Sequence, residues 1–396
     1  MNKLAFLIFS IFLSVYGFAQ CDGRYQDEIF ESTTVTTVEY SDVYNWSVFD
    51  SGLDMDVYTP NEDNFDNRPL IIFAHGGSFY AGNKNNPEMI ALCESFAKKG
   101  FVTASIQYRL TSLINLADSN VMIQTVFNAI SDMKSAIRYF RKDAMLNNNS
   151  FGIDTSQIFV GGYSAGAIIA VNSSMLNNQS EIPSYLQEFV DNSGGLEGDS
   201  GNDGYSSRVN GVISLAGAVY LKSFIDSSDV PIVSIHAKDD ETVMYDCDHA
   251  LGYSVLPILC GSGEVHQTAE SVGITNSLYS FDTGGHLIPV TQLSQVSIPF
   301  ITDFIYPLLD CNSVNLEYYE RFDCSVYPNP SSGLVNIKSL EPITQINIFD
   351  QMGRNIIAKQ AMETNHLSFS DFSPGIYYLH LYSSKGMVSK KFTVLK

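Results

Sequence analysis

Basic residues are scarce in this chain. Its 396 residues hold 22 Lys and Arg against 43 Asp and Glu, a formal net charge of −21. That balance disfavours nucleic acid and anionic membrane surfaces as partners, because both are bound through clustered cations. Solubility outside the cell accounts for it well enough. Tryptophan is nearly absent, with Trp46 alone, so no cluster of indoles is available to stack on sugar rings. None of the six cysteines (Cys21, Cys93, Cys247, Cys260, Cys311 and Cys324) has C-x-x-C spacing, which argues against a zinc site. There is no internal repeat. Beyond the first nineteen residues no run is long and apolar enough to span a bilayer, so no membrane span is expected in the mature chain.

The apolar run at the start is of another kind. Lys3 precedes Leu4 to Val15, interrupted only by Ser10 and Ser14, and Gly17-Phe18-Ala19 places small residues before Gln20. This reads as a secretory signal peptide over 1–19. Gln20 is too large to precede a lipoprotein cysteine at Cys21. Export permits disulfides. Local spacing favours Cys247–Cys260 and Cys311–Cys324, which leaves Cys21–Cys93 to staple the mature N-terminus.

With 45% hydrophobic residues, the chain has ample material for a globular core. Its middle alternates two periods. Apolar runs at 70–74, 101–106, 157–160, 212–215, 231–235 and 276–281 read as strands. Amphipathic stretches at 89–99, 126–143 and 165–176 read as helices. Strands buried on both faces and alternating with helices predict an α/β fold, a mostly parallel sheet with helices on both sides. Thr33 to Val57 alternates more and predicts antiparallel strands at one edge. Asn177 to Arg208, acidic and glycine-rich, is too long for an ordinary connection and reads as an insertion. A solvated surface loop is the expectation, with a lid or a calcium loop as alternatives.

Chemistry concentrates in Gly161-Gly162-Tyr163-Ser164-Ala165-Gly166. Gly162-x-Ser164-x-Gly166 after an apolar strand is the pattern of a nucleophile elbow, which holds a serine hydroxyl out of a tight turn. Such a serine needs a base, an orienting acid and an oxyanion hole. Of the seven histidines, His366 and His380 lie in the tail, and His75, His236, His249 and His266 occupy a glycine loop, a strand end, a probable disulfide region and a helix. His286, in Thr283-Gly284-Gly285-His286 after the last strand, is the base by elimination and position. Asp239, Asp240 and Glu241 compete for the acid. His75-Gly76-Gly77-Ser78-Phe79 after the strand at 70–74 offers oxyanion donors in Gly76 and Gly77, beside the N–H of Ala165.

In this chain order the residues resemble the α/β-hydrolase superfamily over 53–309, and its esterase/lipase branch with a His-Gly-Gly loop. Ile106-Gln107-Tyr108-Arg109-Leu110 resembles the branch's D-Y-R-L strand end, with Gln107 in place of the acid. Asp132 to Tyr139 resembles the helix before the elbow strand. His236-Ala237-x-x-Asp240-x-x-Val243 resembles H-G-x-x-D-x-x-V, which selects Asp240. Ser78 replaces a third glycine. The resemblance implies a serine carboxylic-ester hydrolase that needs no metal or organic cofactor, acting on a small-molecule or polysaccharide-linked ester with a short acyl group. A serine peptidase of the same superfamily and a surface-binding protein without activity are the rival readings.

The end of the chain is separate. Short alternating segments at 335–337, 345–349 and 376–381, with turns at 350–354 and 383–386, predict a small β-sandwich. Tyr327-Pro328-Asn329-Pro330, Asp350-x-x-Gly353-Arg354, Ser373-Pro374-Gly375-Ile376-Tyr377 and a Lys-containing end (Lys390, Lys391, Lys396) resemble the C-terminal sorting domain of type IX secretion substrates. That resemblance implies the type IX machinery as a partner and a cell-surface or secreted location. The expected organisation is signal peptide 1–19, catalytic domain 20–309, linker 310–326 and sorting domain 327–396.

Overall fold

A computed structural model describes residues 23–43, 52–310, 324–332, 334–339, 342–350, 355–360, 366–368, 372–383 and 386–395. The expected signal peptide (1–19), Cys21, Trp46, Cys311 and the turn at 351–354 lie outside the described residues. The chain divides into two compact units, 1–313 and 314–396.

In the first unit the elements run β1 (Thr33–Ser41), β2 (Leu53–Pro60), β3 (Arg68–Ala74), α1 (Pro87–Lys98), β4 (Val102–Ile106), α2 (Ser119–Leu146), β5 (Ile153–Tyr163), α3 (Ala165–Met175) and α4 (Gln187–Asn192). They continue as β6 (Gly211–Leu215), β7 (Ala218–Val219), β8 (Ile232–Ala237), β9 (Cys247–His249), β10 (Ile258–Gly261), α5 (Ser262–Val272), β11 (Asn276–Phe281), α6 (Ile288–Thr291) and α7 (Ile298–Ile305). The main sheet has eight strands in the order β1-β2-β4-β3-β5-β6-β8-β11. The two pairings at the β1–β2 edge are antiparallel and the rest parallel. This is the α/β architecture expected from the two alternating periods.

The sheet is covered on both faces. Ile72, Val160 and Val212 turn to one cluster with Phe127 and Ile137 of α2 and Ile168 of α3. Phe73, Phe159 and Ile213 turn to the other with Phe96 of α1 and Ile301 of α7. β3, β4 and β6 are buried at every position. A strand buried on both faces loses the alternating pattern, which is why these read as continuous apolar runs. β7, β10 and β9 form a separate antiparallel three-stranded sheet.

Two expectations are corrected here. Cys247 and Cys260 are bonded across β9 and β10, but Cys93 and Cys324 are free and buried. The Cys21–Cys93 and Cys311–Cys324 pairings therefore do not hold. Cys93 faces inward from α1 into the second cluster, where packing and not covalent bonding explains it.

The segment 177–208 lies at the surface with many residues exposed, as expected of a solvated loop, but it is held firmly to the body. It contains α4 and lies along the length of α2, tied down by cations. Arg109 pairs with Asp132 at 2.8 Å, and its guanidinium reaches the Ser200 hydroxyl at 2.8 Å. Lys134 donates to the Leu196 carbonyl, and Arg138 to the carbonyls of Glu197 and Gly201. Side chains of α2 thus satisfy carbonyls that a glycine-rich loop would otherwise leave to water. No group of three or more His, Cys, Asp or Glu suited to a metal occurs among the described residues.

The second unit holds two antiparallel sheets, in the orders β12-β13-β16 and β15-β14-β17-β18. Their strands are β12 (Cys324–Tyr327), β13 (Leu334–Ser339), β14 (Gln345–Asp350), β15 (Asn355–Gln360), β16 (His366–Ser368), β17 (Gly375–Ser383) and β18 (Gly386–Val394). Val335 and Ile337 of one sheet share a core with Ile348, Leu379 and Phe392 of the other.

Candidate active site

Ser164 stands between β5 and α3 with φ 55° and ψ −119°. A non-glycine residue there is strained, and the surroundings must enforce it. The enforcement comes from close packing. A Cβ on Gly166 would sit 1.9 Å from the Ala74 carbonyl oxygen, and one on Gly162 2.4 Å from the Gly166 carbonyl carbon. Only glycine at both positions lets α3 start hard against β3. The Ser164 N–H is held by the Leu215 carbonyl at 2.8 Å.

His286 arrives on the loop after β11. Its Nε2 lies 2.7 Å from Ser164 Oγ and its Nδ1 2.7 Å from Asp240 Oδ2. Asp240 follows β8 and is 3% exposed. Its Oδ1 accepts the N–H groups of Thr242 at 2.8 Å and Val243 at 3.0 Å. Burial pushes its pKa up, but the hydrogen bonds from His236, His286 and Thr242 outweigh this and hold the carboxyl well below the usual carboxylate range.

The neighbouring carboxylates take other places. Asp239 is exposed and accepts the N–H groups of Gly284 at 3.1 Å and Gly285 at 2.8 Å. It clamps the loop that carries His286, while Asp240 holds the ring. Glu241 is exposed. The structure thus separates three acids that are adjacent in sequence.

His236 was passed over as a strand end, and it is a member of the site. It is fully buried on β8, with Nε2 3.1 Å from Asp240 Oδ2 and 2.9 Å from the Val243 carbonyl. A carbonyl only accepts, so this nitrogen carries the hydrogen, and the Ser262 hydroxyl at 2.9 Å donates to Nδ1. Asp240 is therefore shared by two imidazoles. The available signal was the pairing of His236 with Asp240 within one short motif.

Gly76 lies against the nucleophile: a Cβ there would be 3.3 Å from Ser164 Cβ. Gly77 has φ +125°, and its carbonyl takes the N–H groups of Tyr80 at 3.1 Å and Ala81 at 3.0 Å. Ser78 and Phe79 follow with φ 50° and 64°. Ala165 opens α3, so its N–H is one of the helix donors without an intrahelical acceptor. Gly76 and Ala165 therefore flank Ser164 from two sides. Below it, the Tyr163 hydroxyl donates to the His286 carbonyl at 3.2 Å. An apolar cavity adjoins Ser164 and Ala165.

The geometry can be set beside known proteins. Residues 55–222 match the BD-FAE family model, and residues 325–395 match the secretion system C-terminal sorting domain. Residues 55–222 are thus similar to an esterase family of the α/β-hydrolase type. Over 119 residues the chain is 34% identical to phenmedipham hydrolase of Pseudarthrobacter oxydans, covering 29% of this chain and 21% of that protein. Over 99 residues it is 27% identical to gut esterase 1 of Caenorhabditis elegans, covering 25% and 17%. The chain thus spans about a fifth of the length of these curated relatives. Among solved structures, esterase 2 of Thermogutta terrifontis phosphorylated by paraoxon superimposes with a TM-score of 0.51 at 20% identity, covering 69% of this chain and 94% of that one. The propionate-bound form of the same esterase gives 0.50 at 20% identity, with the same coverage. These two likenesses establish the fold.

Two further histidines of the first unit are buried, and they set an acid limit on its stability. His75 is fully buried and stacks on Tyr108 at 4.3 Å, and His266 is 3% exposed. Burial lowers both pKa values to about 4, against hydrogen bonds to Gly76 and Asn276 that raise them. The unfolded chain therefore takes up protons that the fold rejects as pH drops from about 6.5 to about 4. Stability falls through that window, by roughly 2 kcal/mol for each histidine at about pH 4.5. Asp240, shifted down, adds its own loss only below its unfolded value of about 4. Urea unfolding near pH 7 and near pH 4.5 reads this directly, and equal stability at the two would exclude it.

Proposed function

We propose that the chain is an exported serine carboxylic-ester hydrolase. The observation that carries this reading is the unbroken line Ser164 Oγ–His286 Nε2 and His286 Nδ1–Asp240 Oδ2, 2.7 Å at each step, on a strained strand-to-helix turn. Ser164 attacks the ester carbonyl while His286 takes its proton. Asp240 keeps the imidazole in the tautomer with Nδ1–H and stabilises the imidazolium. The N–H groups of Gly76, Gly77 and Ala165 receive the charge on the carbonyl oxygen. His286 returns the proton to the departing alcohol, and water then releases the acid from Ser164.

The similarity of residues 55–222 to an esterase family and the paraoxon adduct of the Thermogutta esterase support this reading. Export by type IX secretion is supported by the sorting domain at 325–395. No helix among the described residues is long and apolar enough to cross a membrane.

Paraoxon provides the test. Incubation with it is expected to stop hydrolysis of p-nitrophenyl butyrate and to leave one diethylphosphoryl group on the peptide containing Ser164. Continued hydrolysis, or a label on another residue, would refute the assignment.

A further inference from the structure

The cavity beside Ser164 is more specific than the catalytic line requires. Four separate segments supply most of its apolar lining. α2 contributes Val126, Phe127 and Ile130, α3 contributes Ile168, and Phe224 comes from the connection after β7. The fourth wall is the segment between Cys247 and Cys260, which presents Leu251, Leu256 and Leu259. Its ends are joined by the disulfide and by the β9–β10 pairing, and β10 ties it to β7.

Polar groups on these walls are few and largely used. Asn172 is in the lining, but its Nδ2 donates to the carbonyls of Ile168 at 2.7 Å and Ala218 at 3.1 Å, and its Oδ1 accepts the Tyr220 N–H at 2.8 Å. Besides Ser164, only the hydroxyls of Ser78, Tyr220 and Thr242 remain, on three different segments. A sugar ring in this space would leave most of its hydroxyls without partners.

The reaction itself decides which half of the ester the cavity receives. The leaving alcohol takes its proton from His286 Nε2, so it lies on the histidine's side. His286 is not among the residues lining the cavity; Ala165, Ser78 and Phe79 are. The acyl group therefore enters it.

We infer that the acyl group is an unsubstituted aliphatic chain longer than acetyl, gripped between α2, α3 and the segment stapled by Cys247–Cys260. This rests on Ser164 being the nucleophile. It replaces the short acyl group expected from the sequence and leaves the alcohol side free.

The test is a series of p-nitrophenyl esters from acetate to laurate with the full chain. kcat/KM is expected to rise about threefold per methylene up to octanoate. Val126→Trp is expected to cut the octanoate-to-acetate ratio at least tenfold, and the double variant Cys247→Ser, Cys260→Ser to flatten the rise. A flat or falling wild-type profile with Ser164-dependent acetate hydrolysis overturns the inference and leaves the hydrolase reading standing. An unchanged ratio in Val126→Trp also overturns it. No hydrolysis at any chain length removes the hydrolase reading first, and this inference with it.

Discussion

Ser164→Ala is expected to lower kcat for p-nitrophenyl esters by about 10⁵- to 10⁶-fold, with little change in KM or in thermal stability. The size follows from the chemistry. Without Oγ no acyl-enzyme forms, and His286 and Asp240 have nothing to deprotonate, so the line fails as a unit. What remains is the polarisation supplied by backbone donors near Gly76 and Ala165. Stability should hold because the hydroxyl's partner, the His286 ring, keeps its bond to Asp240, and the Ser164 N–H bond to Leu215 at 2.8 Å survives the change. The strained φ of 55° is imposed by the glycine packing around it and is borne by alanine as by serine. Steady-state kinetics beside a melting curve reads both halves. A residual rate within a hundredfold of wild type would assign the chemistry elsewhere.

Asp240→Asn is expected to cost about 10⁴-fold in kcat. It should also destabilise the fold, which a charge lost from the surface would not do. Asp240 Oδ1 accepts two backbone N–H groups, from Thr242 and Val243. The asparagine carbonyl oxygen must take that place, because an NH₂ there would face two donors. The NH₂ is then forced into the position of Oδ2, facing His286 Nδ1 and the Nε2–H of His236. His286 can accept from it only in the tautomer that places its hydrogen on Nε2, where it cannot take the serine proton. His236 meets a second donor inside the core. Asp239→Asn retains an acceptor for one of the two loop N–H groups and should fall far short of this loss. Similar losses in the two variants would overturn the division of labour between the adjacent acids.

Much of this was legible before any coordinates. Continuous apolar runs marked β3, β4 and β6 because both faces of each strand are buried, and glycines at 162 and 166 marked a turn whose packing leaves no room for a Cβ. Those are local facts. They depend on the chain's near neighbours and on backbone sterics, and a sequence records them directly. Charged and polar residues were harder. Lys134 and Arg138 fall in the stretch 126–143 that reads as a helix, yet they hold down 177–208, because a helix pattern does not say which loop will lie across it. Cys93 and Cys324 entered pairings that spacing allowed and packing did not.

The sequence by itself determined most strands and helices of the main sheet, the turn at Ser164 and the succession of serine, aspartate and histidine, since each is written in a short stretch with its own steric signature. Only the tertiary structure decided that Asp240 faces His286 while Asp239 ties its loop, that His236 shares the acid, and that a disulfide-held segment walls the cavity. Each of those is a contact between segments tens of residues apart. Burial and hydrogen-bond satisfaction settle such contacts after folding, and no local pattern encodes them.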